Sequence, residues 1–211
     1  SRETRGESGL NMFGWGANVG TYWRSNRFVT NNVSLGYKVT EPDIHPQAPE
    51  DLQERFNEVN PSVSRVRSLN WAMYVDHRND LFHPTDGIYS VLTAQLAGGL
   101  LGGDYHFFKW TAAWHDYRKM PVGTLALRIK VGGTRTYGAS LDQGADGVPY
   151  DDRFFAGGAS TVRGYANNSL GPQVTDEDEL NYLNYTSDVL LPDNPARGGN
   201  YLLLTNAEWR V

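Results

Sequence analysis

Residues 153–165 read Arg153-Phe-Phe-Ala-Gly-Gly-Ala-Ser-Thr-Val-Arg-Gly-Tyr165, and they lie in an irregular segment between two runs of strand-like alternation. Gly157, Gly158 and Gly164 permit backbone with φ > 0 and close approach of neighbouring chain. Phe154, Phe155, Val162 and Tyr165 supply apolar anchors that an idle surface loop does not need. A bare Arg-Gly-Tyr would read as a solvated hairpin tip. The whole stretch, from Arg153 through Arg163 to Tyr165, reads instead as a loop held in place by its surroundings.

Composition narrows what those surroundings are. The chain has 211 residues, enough for one large β domain or two small ones. Its apolar content of 39% and mean hydropathy of −0.52 resemble a water-soluble protein, yet it carries 23 Gly, 12 Tyr and 6 Trp. A transmembrane β-barrel produces this mixture, because alternate strand residues face lipid, the others face a polar lumen, and aromatic girdles mark both interfaces. No run of about 18 apolar residues is present, so no membrane-spanning helix is expected. A net charge of −5 offers no basic surface for nucleic acid. The lack of cysteine suits a barrel crossing an oxidising compartment and suits many cytosolic domains equally. The chain starts at Ser1 without methionine or a signal sequence, which reads as processing or truncation.

Period-two alternation predicts strands at 9–23, 28–40, 67–77, 88–98, 105–117, 124–137 and 200–211. One face of these runs is apolar: Trp15, Val19 and Trp23 in the first, Val33 and Leu35 in the second, Leu69, Trp71 and Met73 in the third. Phe108, Trp110 and Trp114 continue it, then Leu127 and Ile129, then Tyr201, Leu203 and Trp209. The opposite face carries Asn18, Lys38, Asn70, Lys109, Thr111, His115, Arg128, Lys130, Asn206, Glu208 and Arg210. Such a face either lines a wet lumen or is the exposed side of a soluble sandwich. The connections at 24–26, 78–87 and 118–123 are fairly short. Those at 41–66 and 138–198 are long, and 99–103 is the one short member of that set. Short turns at one rim and longer loops at the other fit a barrel. Within 41–66, Pro49–Asn57 could form a helical turn or two.

Asp76-His-Arg-Asn-Asp-Leu-Phe-His-Pro-Thr-Asp-Gly87 is a turn by composition, with Pro84 and a closing Thr-Asp-Gly. Together with the Arg153–Tyr165 stretch and Asn168-Ser-Leu-Gly-Pro172 after it, this segment carries a family likeness. The chain resembles the BamA/TamA superfamily of bacterial outer-membrane assembly factors and translocators (bacterial surface antigen family). There a Phe-x-Gly-Gly-x-x-x-Val-Arg-Gly-Phe/Tyr loop folds back into the barrel, and a turn with Asp76, Arg78, Pro84, Asp86 and Gly87 at its fixed positions faces the periplasm. The resemblance implies that residues 1–211 form part of an outer-membrane barrel of roughly sixteen strands, about seven of which lie here. Seven is odd where bacterial single-chain barrels are even, so a fragment is expected.

The resemblance also implies function. A BamA-like protein folds and inserts β-barrel proteins into the bacterial outer membrane without covalent chemistry, using an unstable lateral seam between first and last strands and thinning the nearby bilayer. Its partners would be outer-membrane lipids, nascent outer-membrane proteins, and the periplasmic POTRA domains and accessory lipoproteins of the full-length protein. A TamA-like assembly factor, a two-partner secretion pore and a patatin-type translocator barrel share the same wall. The resemblance implies that the loop arginine meets a first carboxylate where Glu208 stands, on the polar face of the run 200–211, and a second on a following strand outside this chain, with Arg210 and Arg128 as competing partners for Glu208.

Two further classes compete. A hydrolase could draw on Asp76-His77 or His115-Asp116, but neighbours in a strand point to opposite faces, and no Gly-x-Ser-x-Gly, metal-ligand spacing or carboxylate pair accompanies them. No enzyme, metal or cofactor is therefore expected. His45, His83 and His106 stand singly, and Thr175-Asp-Glu-Asp-Glu179 lacks the glycine and spacing of a calcium loop. The remaining alternative, a soluble β-sandwich used for binding, would bury its apolar face against a second sheet.

Overall fold

The computed structural model describes residues 3–4, 12–42, 63–171 and 198–211. They form one antiparallel sheet whose spatial order is the order of the chain: β1 (Glu3–Thr4), β2 (Met12–Arg24), β3 (Val29–Pro42), β4 (Ser64–Asp76), β5 (Gly87–Ala97), β6 (Phe107–Lys119), β7 (Thr124–Thr136) and β8 (Tyr201–Arg210). Each strand pairs with the next, so the turns at 25–28, 77–86 and 120–123 share one rim. The Asn26 side chain closes the first of these turns by accepting from the backbone N–H groups of Phe28 and Val29 at 2.8 and 2.9 Å.

Register turns the alternation of each strand into two continuous faces. Val19, Leu35, Leu69, Leu96 and Phe108 stand side by side across β2 to β6. The residues one step along, Ser34, Asn70, Gln95, Lys109 and Thr134, form a polar row on the opposite side. A slip of one residue would exchange the two sets, so burial of either face fixes the pairing. No second sheet covers the apolar face among the described residues, and Val19 and Leu203 are 77% and 70% exposed. A soluble sandwich would have hidden them; a bilayer accepts them.

The dry cluster lies elsewhere. Val66, Ala97, Phe107 and Val148, with Tyr105 against them, are buried on the polar face near the rim where the long connections leave. Val148 belongs to the segment after β7, so that segment folds back over the face expected to be wet.

Strand ends differ from the alternation reading in an instructive way. β4 starts at Ser64 and not at 67, because Ser64, Arg65 and Val66 pair with Thr40, Val39 and Lys38. Backbone hydrogen bonding carries a strand past the point where its apolar pattern stops. The connection expected at 41–66 shortens to 43–63. β6 starts two residues later than 105, at Phe107, after a short 3-10 turn at Gly99–Leu101 and an isolated bridge between Gly103 and Val66. The helical turn expected at Pro49–Asn57, the acidic run Thr175–Glu179 and His45 all lie outside the described residues.

Candidate functional site: the loop on the polar face

After β7 the chain makes 3-10 turns at Gly138–Gly147 and Tyr150–Asp152 and then doubles back on itself. Phe154 exchanges two backbone hydrogen bonds with Gly199, at 2.9 and 2.8 Å, which ties the loop to the start of β8. Beyond this tie, Leu170 N–H donates to the Ala156 carbonyl at 2.9 Å and Gly158 N–H to the Tyr165 carbonyl at 3.0 Å. Residues 154–170 are thus a narrow hairpin with its tip at 159–164. Thr161 braces the neck: its hydroxyl donates to the Gly157 carbonyl at 2.6 Å and accepts from the Gly157 N–H at 2.8 Å. Gly157, Gly158 and Gly164 have φ of 110°, 90° and 90°, a region costly for residues with a Cβ. A side chain at 157 or 158 would also strike the Ala166 carbonyl or the Asn167 side chain, whereas 164 has open space around it.

Side chains of the polar face seat this hairpin. The Phe154 ring lies over Gly132 of β7, where an added Cβ would come within 2.7 Å of it, and Phe154 is only 9% exposed. Phe155 packs similarly at Gly198, while Arg153 Nε donates to the Val148 carbonyl at 3.1 Å. Near the tip, Arg128 Nη1 donates to the Ser160 carbonyl at 2.8 Å and Asn206 Nδ2 to the Thr161 carbonyl at 3.4 Å. Arg163 Nη2 stands 3.7 Å from Glu208 Oε2, and Arg210 Nη2 reaches the same oxygen at 3.3 Å. Glu208 is therefore shared between the loop arginine and its own strand neighbour. Arg128 does not compete for it.

Two expected anchors do not anchor. Tyr165 is 56% exposed and Val162 is only half-buried, because the tip is held to the sheet through Arg128, Asn206 and Glu208 and the apolar burial falls on Phe154 of the stem. Conversely, Lys38, Lys109, Asp151 and Asp152 escaped the site reading. Lys38 Nζ on β3 lies 3.0 Å from Asp151 Oδ2 and 3.9 Å from Asp152 Oδ2. Lys109 Nζ on β6 donates to the Asp152 carbonyl at 2.7 Å and sits 4.9 Å from the centre of the Phe154 ring. The available signal was the adjacent pair Asp151-Asp152 just before Arg153, facing lysines that alternation had already put on the polar side.

The β4–β5 turn is a second built element, at the opposite rim. Arg78 forks onto Asp76, Nε to Oδ1 at 2.9 Å and Nη2 to Oδ2 at 2.7 Å, and its guanidinium lies 4.4 Å from the centre of the Tyr89 ring. The hydrogen bonds that Arg78 donates to Asp76 raise its pKa above its ordinary value. Asp80 caps the bend by accepting from the N–H groups of Phe82 and His83, both at 2.7 Å; the His83 and Phe82 donors hold its carboxyl below the usual range. Asn79 Oδ1 accepts from Thr85 and Asp86 N–H at 3.1 Å, so Asp86 acts through its backbone. Pro84 is buried, and Gly87 has φ of 107° against the His77 carbonyl, where a side chain has no room. His115 and Asp116, adjacent in β6, occupy opposite faces: His115 meets Tyr89 edge-on and Asp116 accepts from Arg118 Nε at 2.9 Å.

A sheet with a polar face covered by its own loop and an apolar face left bare is the wall of a membrane β-barrel. This chain belongs to the Omp85 superfamily: the family model described as the Omp85 superfamily domain matches residues 5–211. Among curated proteins it is similar to the outer membrane protein assembly factor BamA of Nitratidesulfovibrio vulgaris, 29% identical over 146 residues, or 68% of this chain and 17% of that protein. It is similar also to the sorting and assembly machinery component 50 homolog of Mus musculus, 34% identical over 137 residues, or 63% of this chain and 28% of that protein. Its fold matches the crystal structure of BamA from Haemophilus ducreyi lacking POTRA domains 1-3 with a TM-score of 0.67 at 18% identity, covering 96% of this chain and 38% of that one. The chain thus spans well under half the length of each of these proteins.

Proposed function

We propose that residues 1–211 are a mid-barrel segment of a BamA-like assembly factor of the bacterial outer membrane, which folds and inserts other β-barrels. The observation that carries this reading is the loop hairpin on the polar face, with Arg163 at Glu208, in a chain of the Omp85 superfamily. The role is one of assembly rather than enzymatic catalysis: unpaired strand edges template an incoming strand, and lipid penalises every backbone group left unpaired. Partners on this reading are outer-membrane lipids, nascent outer-membrane proteins, and the POTRA domains and lipoproteins attached to the complete protein. The turn around Asp76, Arg78, Pro84, Asp86 and Gly87 faces the periplasm on this reading, and the rim where β3 and β7 end is the outer one. A second reading, a component of the sorting and assembly machinery kind, is favoured by the 34% identity to the Mus musculus homologue.

The test uses the full-length protein reconstituted in vesicles with an unfolded β-barrel client. The expected outcome is client insertion that Arg163→Ala reduces severalfold while its own barrel stays folded by heat-modifiable migration, since the exposed Arg163–Glu208 pair is worth only about 0.2–1 kcal/mol of stability. Failure of the wild-type protein to insert any client, or Arg163→Ala acting like wild type, would overturn the proposal.

A further inference from the structure

The loop is held at two separate places, and the places differ in kind. At the tip, Arg163 meets Glu208 at 3.7 Å with side chains 75% and 39% exposed, and Arg210 shares the same oxygen. At the stem, Lys38 meets Asp151 at 3.0 Å with side chains 37% and 18% exposed. Charges partly withdrawn from water attract more strongly than exposed ones, so the stem contact outweighs the tip contact. Lys109 adds a charge-assisted hydrogen bond to the Asp152 carbonyl at 2.7 Å, and the buried Phe154 ring adds packing. Val148, fully buried with Ala97 and Phe107, packs the residues just before the stem against the polar face. Between stem and tip stand Gly157 and Gly158, both at positive φ.

The reach of this stem is also unusual. Lys38 is on β3, and β4, β5 and β6 separate it from β7, the strand that the loop leaves. An ion pair across that span fixes the loop relative to the sheet as a whole and not merely to its own neighbours.

We infer that Lys38 and Lys109, acting on Asp151 and Asp152, are positioning residues that seat the stem of the loop independently of Arg163. The tip is held separately, by Arg163 at Glu208 and by Arg128 and Asn206 on the Ser160 and Thr161 carbonyls. This deepens the function proposed above and rests on it only for its purpose; the seating itself is a property of this chain alone.

The experiment is hydrogen–deuterium exchange on the full-length protein in lipid nanodiscs, comparing residues 148–156 with residues 159–165. Lys38→Glu is expected to raise exchange of the stem about tenfold, between the effects of breaking exposed and fully buried ion pairs. Lys38→Glu combined with Asp151→Lys is expected to restore protection. Arg163→Ala is expected to raise exchange at the tip and leave the stem protected. Lys38→Met, which keeps the volume and removes the charge, gives an intermediate loss and serves if the reversed charge prevents folding. Stem protection unchanged in both Lys38 variants, or lost together with the tip in Arg163→Ala, overturns the inference. Since the readout is protection and not client insertion, a protein that inserts nothing but shows this pattern refutes the functional reading and leaves the seating intact.

Discussion

Replacing Ile129 with arginine tests which face of the sheet meets lipid. Ile129 lies near the middle of β7 on the apolar side, between Trp114 of β6 and Thr205 of β8, and is 41% exposed, with no second sheet over it among the described residues. An arginine near the bilayer midplane on the lipid face of a barrel costs about 2–4 kcal/mol. At about 1.4 kcal/mol per factor of ten, the folded-to-unfolded ratio should fall roughly thirtyfold to several hundredfold. The comparison is Ala72→Arg in β4, on the polar side between Asn32 and Thr93, where an open recess is also lined by Asn70, Gln95 and Lys109. The new guanidinium there stays hydrated, with Lys109 the charged residue lining the recess, so its cost should stay below about 1 kcal/mol. Urea titration of the full-length protein in phospholipid vesicles, followed by heat-modifiable migration, measures both. Equal costs, or a larger cost for Ala72→Arg, would refute the assignment of the apolar face to lipid.

Phe154→Ala removes the ring that lies over Gly132 and should weaken the seat of the loop by about 3 kcal/mol or more, while the strand ladder persists. Limited proteolysis should then cut between Gly138 and Gly171 much faster than in the parent, with the barrel still migrating as folded. At the opposite rim, the lowered pKa of Asp80 means that its capping contribution is present above the ordinary aspartate range and is lost as pH falls through the folded value. Amide protection of Phe82 and His83 should therefore drop below about pH 4, and Asp80→Asn should remove most of that pH dependence.

Much of this architecture follows from alternation alone. Strands with tryptophan and aliphatic residues at every second position, set against Asn, Lys, Thr and Arg, have few ways to satisfy both faces at once. Lipid on one side and a polar interior on the other is the way that leaves Val19 and Leu203 bare. Alternation in β8 also put Glu208 on the same face as Arg128 and so within range of a loop lying there. The strand ends were less legible. Whether Ser64 to Val66 extend β4 depends on a neighbour long enough to pair with them, and β3 supplies it through Lys38 to Thr40.

The amino-acid sequence by itself determined the all-β wall, its two faces, the tight turns and the presence of a glycine-rich loop carrying Arg163, because these depend on residues close together in the chain. Only the tertiary structure decided that the loop is carried by its stem, with Phe154 buried while Tyr165 stays exposed, and that Lys38 reaches Asp151 across 113 residues of sequence. No periodicity encodes such a contact. It arises when register has placed β3 opposite the folded-back segment, and a lysine and a carboxylate half-removed from water then have each other as the nearest compensation for lost hydration.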